Sequence, residues 1–328
     1  MIQRREFVTL LGSAVVAWPL AARAQQPQHS WRIGQVRSGT PELNVPSAKA
    51  FEQRLTELGY LHGSNIDVRN RFVPPHPEAM EDAIQELMPQ IDILVVWGTM
   101  GGVAAKKLVG TLPVIFVAVA APLEMGLAAS LARPGGNLTG ITFEAATETY
   151  GKRLQILKDM VPTLKRVAVL GAESDANFGF AMASLQRHAP MLEVTLLPIG
   201  IQSIDDLRAA FDAMRSQKAD GLISIAGNLT SVSGTRIAEL ALNQGLPSCY
   251  AFRETVQAGG LVSLGPDRVW MARQAAGYVD KIIRGAKPEE LPIQQPDRYE
   301  LHINLTTAKL LGLKVPDVLL ARADEVIE

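Results

Sequence analysis

The sequence of 328 residues holds a single cysteine, Cys249, so no intramolecular disulfide can form. That thiol lies in the apolar run Leu246-Pro247-Ser248-Cys249-Tyr250, the setting of a small buried core residue. Beyond the first two dozen residues long apolar runs are missing, so no later segment reads as transmembrane. An excess of charge is missing too. The formal net charge is -1 and unclustered, which argues against nucleic acid or an anionic membrane as partner. Catalytic signatures are absent: there is no G-x-S-x-G elbow, no Walker loop, no H-E-x-x-H and no G-x-G-x-x-G. The histidines (His29, His62, His76, His188, His302) are scattered, and none pairs at i, i+2 or i, i+4 with another histidine or with the cysteine. Neither a metal nor a cofactor is therefore expected.

What the chain does have begins at its N-terminus. Arg4-Arg5-Glu6-Phe7-Val8 precedes an apolar run from Leu10 to Leu20, and Ala22-Arg23-Ala24 offers small residues where a signal peptidase reads them. A charged n-region, a short apolar h-region and an A-x-A site make a secretory signal, here of twin-arginine type. The run is broken by Gly12, Ser13 and Pro19, too short for a stable anchor. Cleavage near Ala24 is expected, leaving a periplasmic chain of charge -3 once the segment's +2 is removed. No cysteine follows the signal to carry a lipid, so the product is expected to be unanchored.

Strand and helix signals then alternate. Residues 32–36, 66–72, 91–97 and 114–119 read as strands, with helices over 46–58, 78–88 and 102–109 between them. The pattern restarts with strands over 167–170, 192–197, 222–226 and 246–251 and helices over 177–188, 203–216 and 234–243. Ser203 and Asp206 form a candidate capping box. Asp92, a buried strand, Gly98, a helix, Gly110 and Leu112-Pro113 are echoed by Asp220, a strand, Gly227, a helix, Gly245 and Leu246-Pro247. Alternation with buried strands implies an α/β protein with two doubly wound parallel-sheet lobes. The turn cluster Arg133 to Gly140, the Gly-rich stretch Ala258 to Pro266 and the Pro-rich crossing Lys287 to Pro296 mark three crossings, as in a hinge. The expected organisation is a signal over 1–24 and a flexible stretch over 25–30. The N-terminal lobe takes 31–141 and 264–292, and the C-terminal lobe 142–263 and 293–328.

Ligands of open α/β sheets bind outside the carboxyl ends of the strands. That rule selects Arg37 to Thr40, Gly98 to Met100 and Ala118 to Ala121 in the first lobe, and Ala172 to Phe178, Gly227-Asn228 and Tyr250 to Glu254 in the second. Gly98-Thr99-Met100-Gly101-Gly102 matches no dinucleotide fingerprint and reads as a tight βα turn. Within the set, Ser38, Thr40, Gly98, Thr99, Ala118, Asn177, Asn228, Tyr250 and Phe252 are the candidate ligand-binding residues. Phe178, Tyr250 and Phe252 are equally candidates for a ring stack or for core. Arg37 and Arg253 are candidates for a ligand carboxylate or for solvated surface.

Several segments resemble the ABC-transport substrate-binding protein family, whose studied relatives include tryptophan- and tyrosine-type binders. They are Leu55-Thr56-Glu57-Leu58-Gly59-Tyr60, Ser130 to Gly140, Gly151-Lys152-Arg153-Leu154, Phe252-Arg253-Glu254 with Ala258 to Leu261, Tyr278 to Ile282 with Gly285 to Pro288, and Leu320 to Glu325. They run in order over nearly the whole expected mature chain. The resemblance implies a type I periplasmic-binding fold, with three strands joining two lobes and a solute between them. It also implies an ABC permease in the inner membrane as partner. Departures fall at the pocket: Glu173-Ser174-Asp175-Ala176-Asn177 stands where relatives often have Asn-Pro-x-Asn, Gly227-Asn228-Leu229-Thr230 replaces an acidic aromatic loop, and Ala120-Ala121-Pro122 replaces Gly-Asp-Pro. An acid lost at Ala121 points toward an aromatic or aliphatic carboxylic acid rather than an amine.

The reading is a monomeric receptor that closes on a small organic solute, an amino acid or an aromatic or aliphatic carboxylic acid, without turnover. Two alternatives stand beside it: an exported two-lobe enzyme using Glu173, Asp175 and Tyr250, and a ligand-sensing partner of a signalling receptor.

Overall fold

The computed structural model describes residues 30–144 and 148–328. The expected signal and its cleavage site lie outside the described residues. The first sheet holds β1 (Trp31–Ser38), β2 (Ile66–Val73), β3 (Ile93–Trp97), β4 (Val114–Ala120) and β5 (Leu138–Glu144), in the order β2-β1-β3-β4-β5 and parallel throughout. Every residue of β3 is buried, as expected of a strand covered on both faces. Helices α1 (Pro41–Glu57), α2 (Pro77–Leu87) and α3 (Gly98–Leu108) supply that cover.

The second lobe opens with α4 (Glu148–Met160). Its strands are β6 (Arg166–Ala172), β7 (Thr195–Ile201), β8 (Gly221–Ser224), β9 (Ser248–Tyr250), β10 (Val262–Gly265), β11 (Glu300–Asn304) and β12 (Glu325–Ile327). Their order is β12-β11-β10-β9-β8-β6-β7, with β10 and β11 antiparallel and the other pairs parallel. Among its helices are α5 (Ala176–His188), α6 (Leu207–Ser216), α7 (Asn228–Val232), α8 (Gly234–Asn243) and α9 (Arg253–Gln257).

Helix α10 (Arg268–Ile283) crosses back: its Met271, Ala275 and Val279 pack with Phe51 and Leu55 of α1 in the first-lobe core. The chain returns through residues 292–299, where Gln294 bridges Ile141 and accepts from the Thr142 amide at 3.0 Å. The short helices α11 (Leu305–Leu310) and α12 (Asp317–Arg322) complete the second lobe. Two parallel-sheet α/β lobes with three crossings are thus present.

The crossings meet at a buried charge pair. Glu144, which ends β5, and Arg153 of α4 are both fully buried, 3.0 Å apart. Arg153 Nε donates to the Leu264 carbonyl of β10 at 2.8 Å, and its guanidinium lies 4.9 Å over the Tyr150 ring. The Tyr299 hydroxyl, on the third crossing, donates to the Phe143 carbonyl at 2.9 Å. Burial pushes the Glu144 carboxyl up even with Arg153 beside it.

Several elements differ from the sequence expectation. Helix α1 begins at Pro41 rather than Pro46: Pro41 takes the first turn, where a missing N–H costs nothing, and Pro46 forgoes one bond inside. Helix α3 starts at Gly98, so the glycine-rich segment is its first turn rather than a loop before it. The capping box at Ser203 and Asp206 is formed, on a 3-10 turn ahead of α6. Strand β5 begins in a stretch read as a turn-rich boundary, and β10 lies wholly within another. In β5 a Cβ at Gly140 would lie 2.0 Å from the Phe116 carbonyl oxygen, so the glycine serves a close strand approach there.

Candidate functional site

A cavity of about 180 Å³ lies between the lobes, at the carboxyl ends of β1, β3, β4, β5 and β8. At roughly 10–15 Å³ for each water, that is room for about a dozen waters or a solute of similar heavy-atom count. The first lobe contributes Ser38, Asn44, Trp97, Gly98, Thr99, Ala118 and Phe143 to its wall. The second contributes the turn Ala226-Gly227-Asn228, residues of α7 and α8, and Phe252, Glu254 and Thr255; Arg268 comes from the start of α10.

The first-lobe wall is shaped by backbone irregularities. Ala118 adopts a left-handed conformation (φ 56°) at a register shift between β4 and β5. Such strain in an L residue persists only where its surroundings enforce it. Here the Thr99 hydroxyl accepts from the Ala120 amide at 3.1 Å and pins the shifted strand.

The lobes touch through Asn228. Its Nδ2 donates to Ser38 Oγ at 2.7 Å and to the Trp97 carbonyl at 3.2 Å. A Cβ on Gly98, whose φ is +81°, would lie 2.3 Å from Asn228 Oδ1. Gly98 therefore answers both to a left-handed backbone and to the close approach of the opposite lobe.

Trp97 and Phe252 give the cavity flat apolar faces. Phe252 meets Phe143 at 5.6 Å between ring centroids, tilted, and the Arg268 guanidinium lies 5.4 Å over the Phe252 ring. Behind Trp97, the fully buried Arg37 stacks at 3.8 Å. Arg37 donates to Gln35 Oε1 at 2.8 Å and to Ser47 Oγ at 2.9 Å. Burial, with the Arg268 charge nearby, holds its guanidinium well below the usual arginine range. Arg37 is thus neither solvated nor on the cavity wall; it supports the indole from behind. Arg253 turns to Asp267, 3.4 Å away.

Of the candidates read from sequence, Ser38, Gly98, Thr99, Ala118, Asn228 and Phe252 line this one cavity. Thr40, Asn177 and Tyr250 are not on its wall. Thr40 is exposed at the N-cap of α1. Asn177 is fully buried, accepting from the Tyr150 hydroxyl at 2.9 Å and donating to the Ala226 carbonyl at 2.6 Å. The Tyr250 ring belongs to the second-lobe core with Leu229 and Val256, and Phe178 packs on the core beside Gly171. Sequence reasoning missed Trp97, Phe143 and Arg268. Trp97 ends an unbroken apolar run and so looked like core, although the strand-end rule reaches it.

Asp175 braces the second-lobe turn from below. It caps α5, accepting from the Asn177 amide at 3.0 Å. A Cβ on Gly227 would come within 2.6 Å of its Oδ2. Burial pushes the Asp175 carboxyl up to about 6, with the Asn177 and Asn228 amides opposing the shift. A folded pKa above the unfolded 3.8 means stability that is full below that value and lost as pH rises through about 6. Asp175→Asn keeps a capping side chain and removes the ionisation. Its melting temperature is expected to match the parent at pH 4 and exceed it at pH 7.5 by the equivalent of about 2–3 kcal/mol. A difference independent of pH would refute this, and calorimetry across that range is the check.

Among the described residues no group of three or more His, Cys, Asp or Glu could hold a metal ion, and no helix is long and apolar enough to cross a membrane.

Comparison with known proteins agrees with this geometry. The model of the family described as ABC transporter substrate binding protein matches residues 46–327. A tyrosine-binding protein of Clostridioides difficile (strain R20291) is 25% identical over 267 residues, spanning 81% of this chain and 76% of that protein. A conserved domain protein from Vibrio cholerae superposes with a TM-score of 0.84 at 24% identity, covering 90% of this chain and 99% of that one. An ABC domain from Streptococcus pneumonia in complex with L-Trp gives 0.84 at 21% identity, with 91% and 100% covered. A ligand-free, open substrate-binding protein from Clostridium difficile gives 0.64 at 20% identity, with 90% and 99% covered. At these identities the structural matches establish the fold alone.

Proposed function

The chain belongs to the ABC transporter substrate-binding protein family, and from that membership we propose that it is the periplasmic receptor of an importer, closing on a small aromatic solute. The solute passes unchanged to a permease in the membrane. The observation that carries this reading is the cavity itself. Its wall is drawn from both lobes, it stands at the strand ends, and Trp97, Phe143 and Phe252 provide ring-sized apolar surface. A solute touching both walls favours the closed arrangement because only that arrangement offers it both sets of contacts. The closer superposition on the L-Trp complex than on the open relative supports a closed geometry here. The ligands named for two relatives, tyrosine and tryptophan, are the first probes to try.

The test is a thermal-shift series on the chain from Gln25, unfolded and refolded to strip any carried ligand, with L-tyrosine, L-tryptophan and L-alanine. At about a hundred times its dissociation constant a ligand adds roughly 2.7 kcal/mol, a shift of several degrees. The expected result is a shift with an aromatic amino acid, none with alanine, and the solute recovered unaltered. A solute consumed on incubation, or a shift with alanine alone, would overturn the reading.

A further inference from the structure

The cavity holds two opposite charges that do not pair with each other. Glu254, in the first turn of α9, and Arg268, at the start of α10, both line it. Glu254 Oε2 is buried with no hydrogen-bond partner. Arg268 rests its guanidinium against the Phe252 ring and has no carboxylate within ion-pair distance among the described residues. Their neighbours behave differently: Arg253 is paired with Asp267 at 3.4 Å. Where a partner is at hand the fold pairs its charges, and inside the cavity it leaves two unmatched.

We propose that Glu254 and Arg268 divide the recognition of a zwitterionic solute between them, Glu254 accepting from its ammonium group and Arg268 donating to its carboxylate. The assignment rests on the functional reading above. It follows from the cost of leaving a buried charged atom, here Glu254 Oε2, without a partner. A solute with only a carboxylate satisfies Arg268 and leaves a carboxylate oxygen of Glu254 buried and bare. A solute with only an amine does the reverse. A zwitterion satisfies both, and its ring remains free for the aromatic faces of Trp97 and Phe252. Arg37 lies behind Trp97, where its donors are engaged by Gln35 and Ser47, so it adds positive charge to that side without reaching the solute. The inference reverses the expectation drawn from Ala121. The acidic group missing from the first lobe is supplied by Glu254 of the second.

The experiment is calorimetric titration at pH 7.5 with three matched probes: L-tyrosine, 3-(4-hydroxyphenyl)propanoate, which lacks the amine, and tyramine, which lacks the carboxylate. Against the unaltered protein, each single-charge probe is expected to bind about 30-fold or more weakly than tyrosine. Glu254→Gln is expected to bring tyrosine down to the affinity of the propanoate and to leave the propanoate unchanged or tighter. Arg268→Met is expected to bring tyrosine down to the affinity of tyramine and to spare tyramine. The charge assignment is overturned if the propanoate equals tyrosine on the unaltered protein, or if Glu254→Gln weakens both alike. If none of the three binds the unaltered, folded protein, the aromatic amino-acid reading falls, and the assignment falls with it.

Discussion

Replacing Arg153 by methionine is expected to destabilise the protein by about 3–5 kcal/mol, lowering its melting temperature by roughly 10 °C. The reason is Glu144. Both side chains are fully buried, so the variant leaves a carboxylate in the interior with its only opposite charge removed. Glu144 can escape by taking up a proton, which burial already favours. The deficit should therefore shrink as pH falls toward 5, because the variant's folded state then holds a proton that its unfolded state releases. The double variant Glu144→Gln, Arg153→Met should recover most of the loss, since a neutral pair of similar volume carries no desolvation debt. Thermal melts of the parent and the two variants at pH 5 and pH 7.5 decide the matter; equal losses in the single and double variants would show that the two charges are not coupled. The pair also has a structural task. Arg153 ties Glu144 on the first crossing to the Leu264 carbonyl on the second, 2.8 Å away. An apolar replacement would keep the volume but lose that bond, so recovery should be incomplete.

Much of the architecture was legible in the sequence because the two lobes are built from long periodic elements. Runs such as Ile93 to Trp97 are strands because burial on both faces demands continuous apolar residues. What stayed hidden was short or disguised. Strand β5 begins in a cluster of glycine and asparagine that reads as a turn, and β10 and β12 are four and three residues long. Helices α7 and α9 span five residues each, too few for a period to show. The site was legible only as backbone positions. A strand-end rule places a residue near a cleft but does not say which side its side chain takes. Tyr250 and Phe252 show the consequence: the first ends β9 with its ring in the core, and the second, just past the strand, reaches the cavity. Asn177 falls just past a strand end, yet its amide is spent on Tyr150 and Ala226. Arg268 could not be read at all, since it enters the site from a crossing helix and not from a strand end.

The last expected result concerns Gly98, and it separates folding from closure. Gly98→Ala carries two costs. One is the left-handed backbone at φ +81°, about 1–2 kcal/mol for an L residue, and it is the same whether the lobes are together or apart. That part lowers the melting temperature and leaves affinity alone. The other is the contact of the new methyl with Asn228 Oδ1 at 2.3 Å, and it exists only when the second lobe has come down on the first. A penalty of about 3 kcal/mol on the closed arrangement alone would weaken the apparent dissociation constant by roughly 100-fold, because the measured affinity scales with the fraction of competent protein. Asn228→Ala removes the other side of the contact together with the bonds to Ser38 Oγ and the Trp97 carbonyl, and should cost about 5- to 10-fold. The double variant should then bind no worse than Asn228→Ala, because the methyl has nothing left to strike. Such non-additivity is the signature of a direct contact. If the two losses multiply instead, Gly98 acts through its own backbone, and the approach of Asn228 does not govern closure.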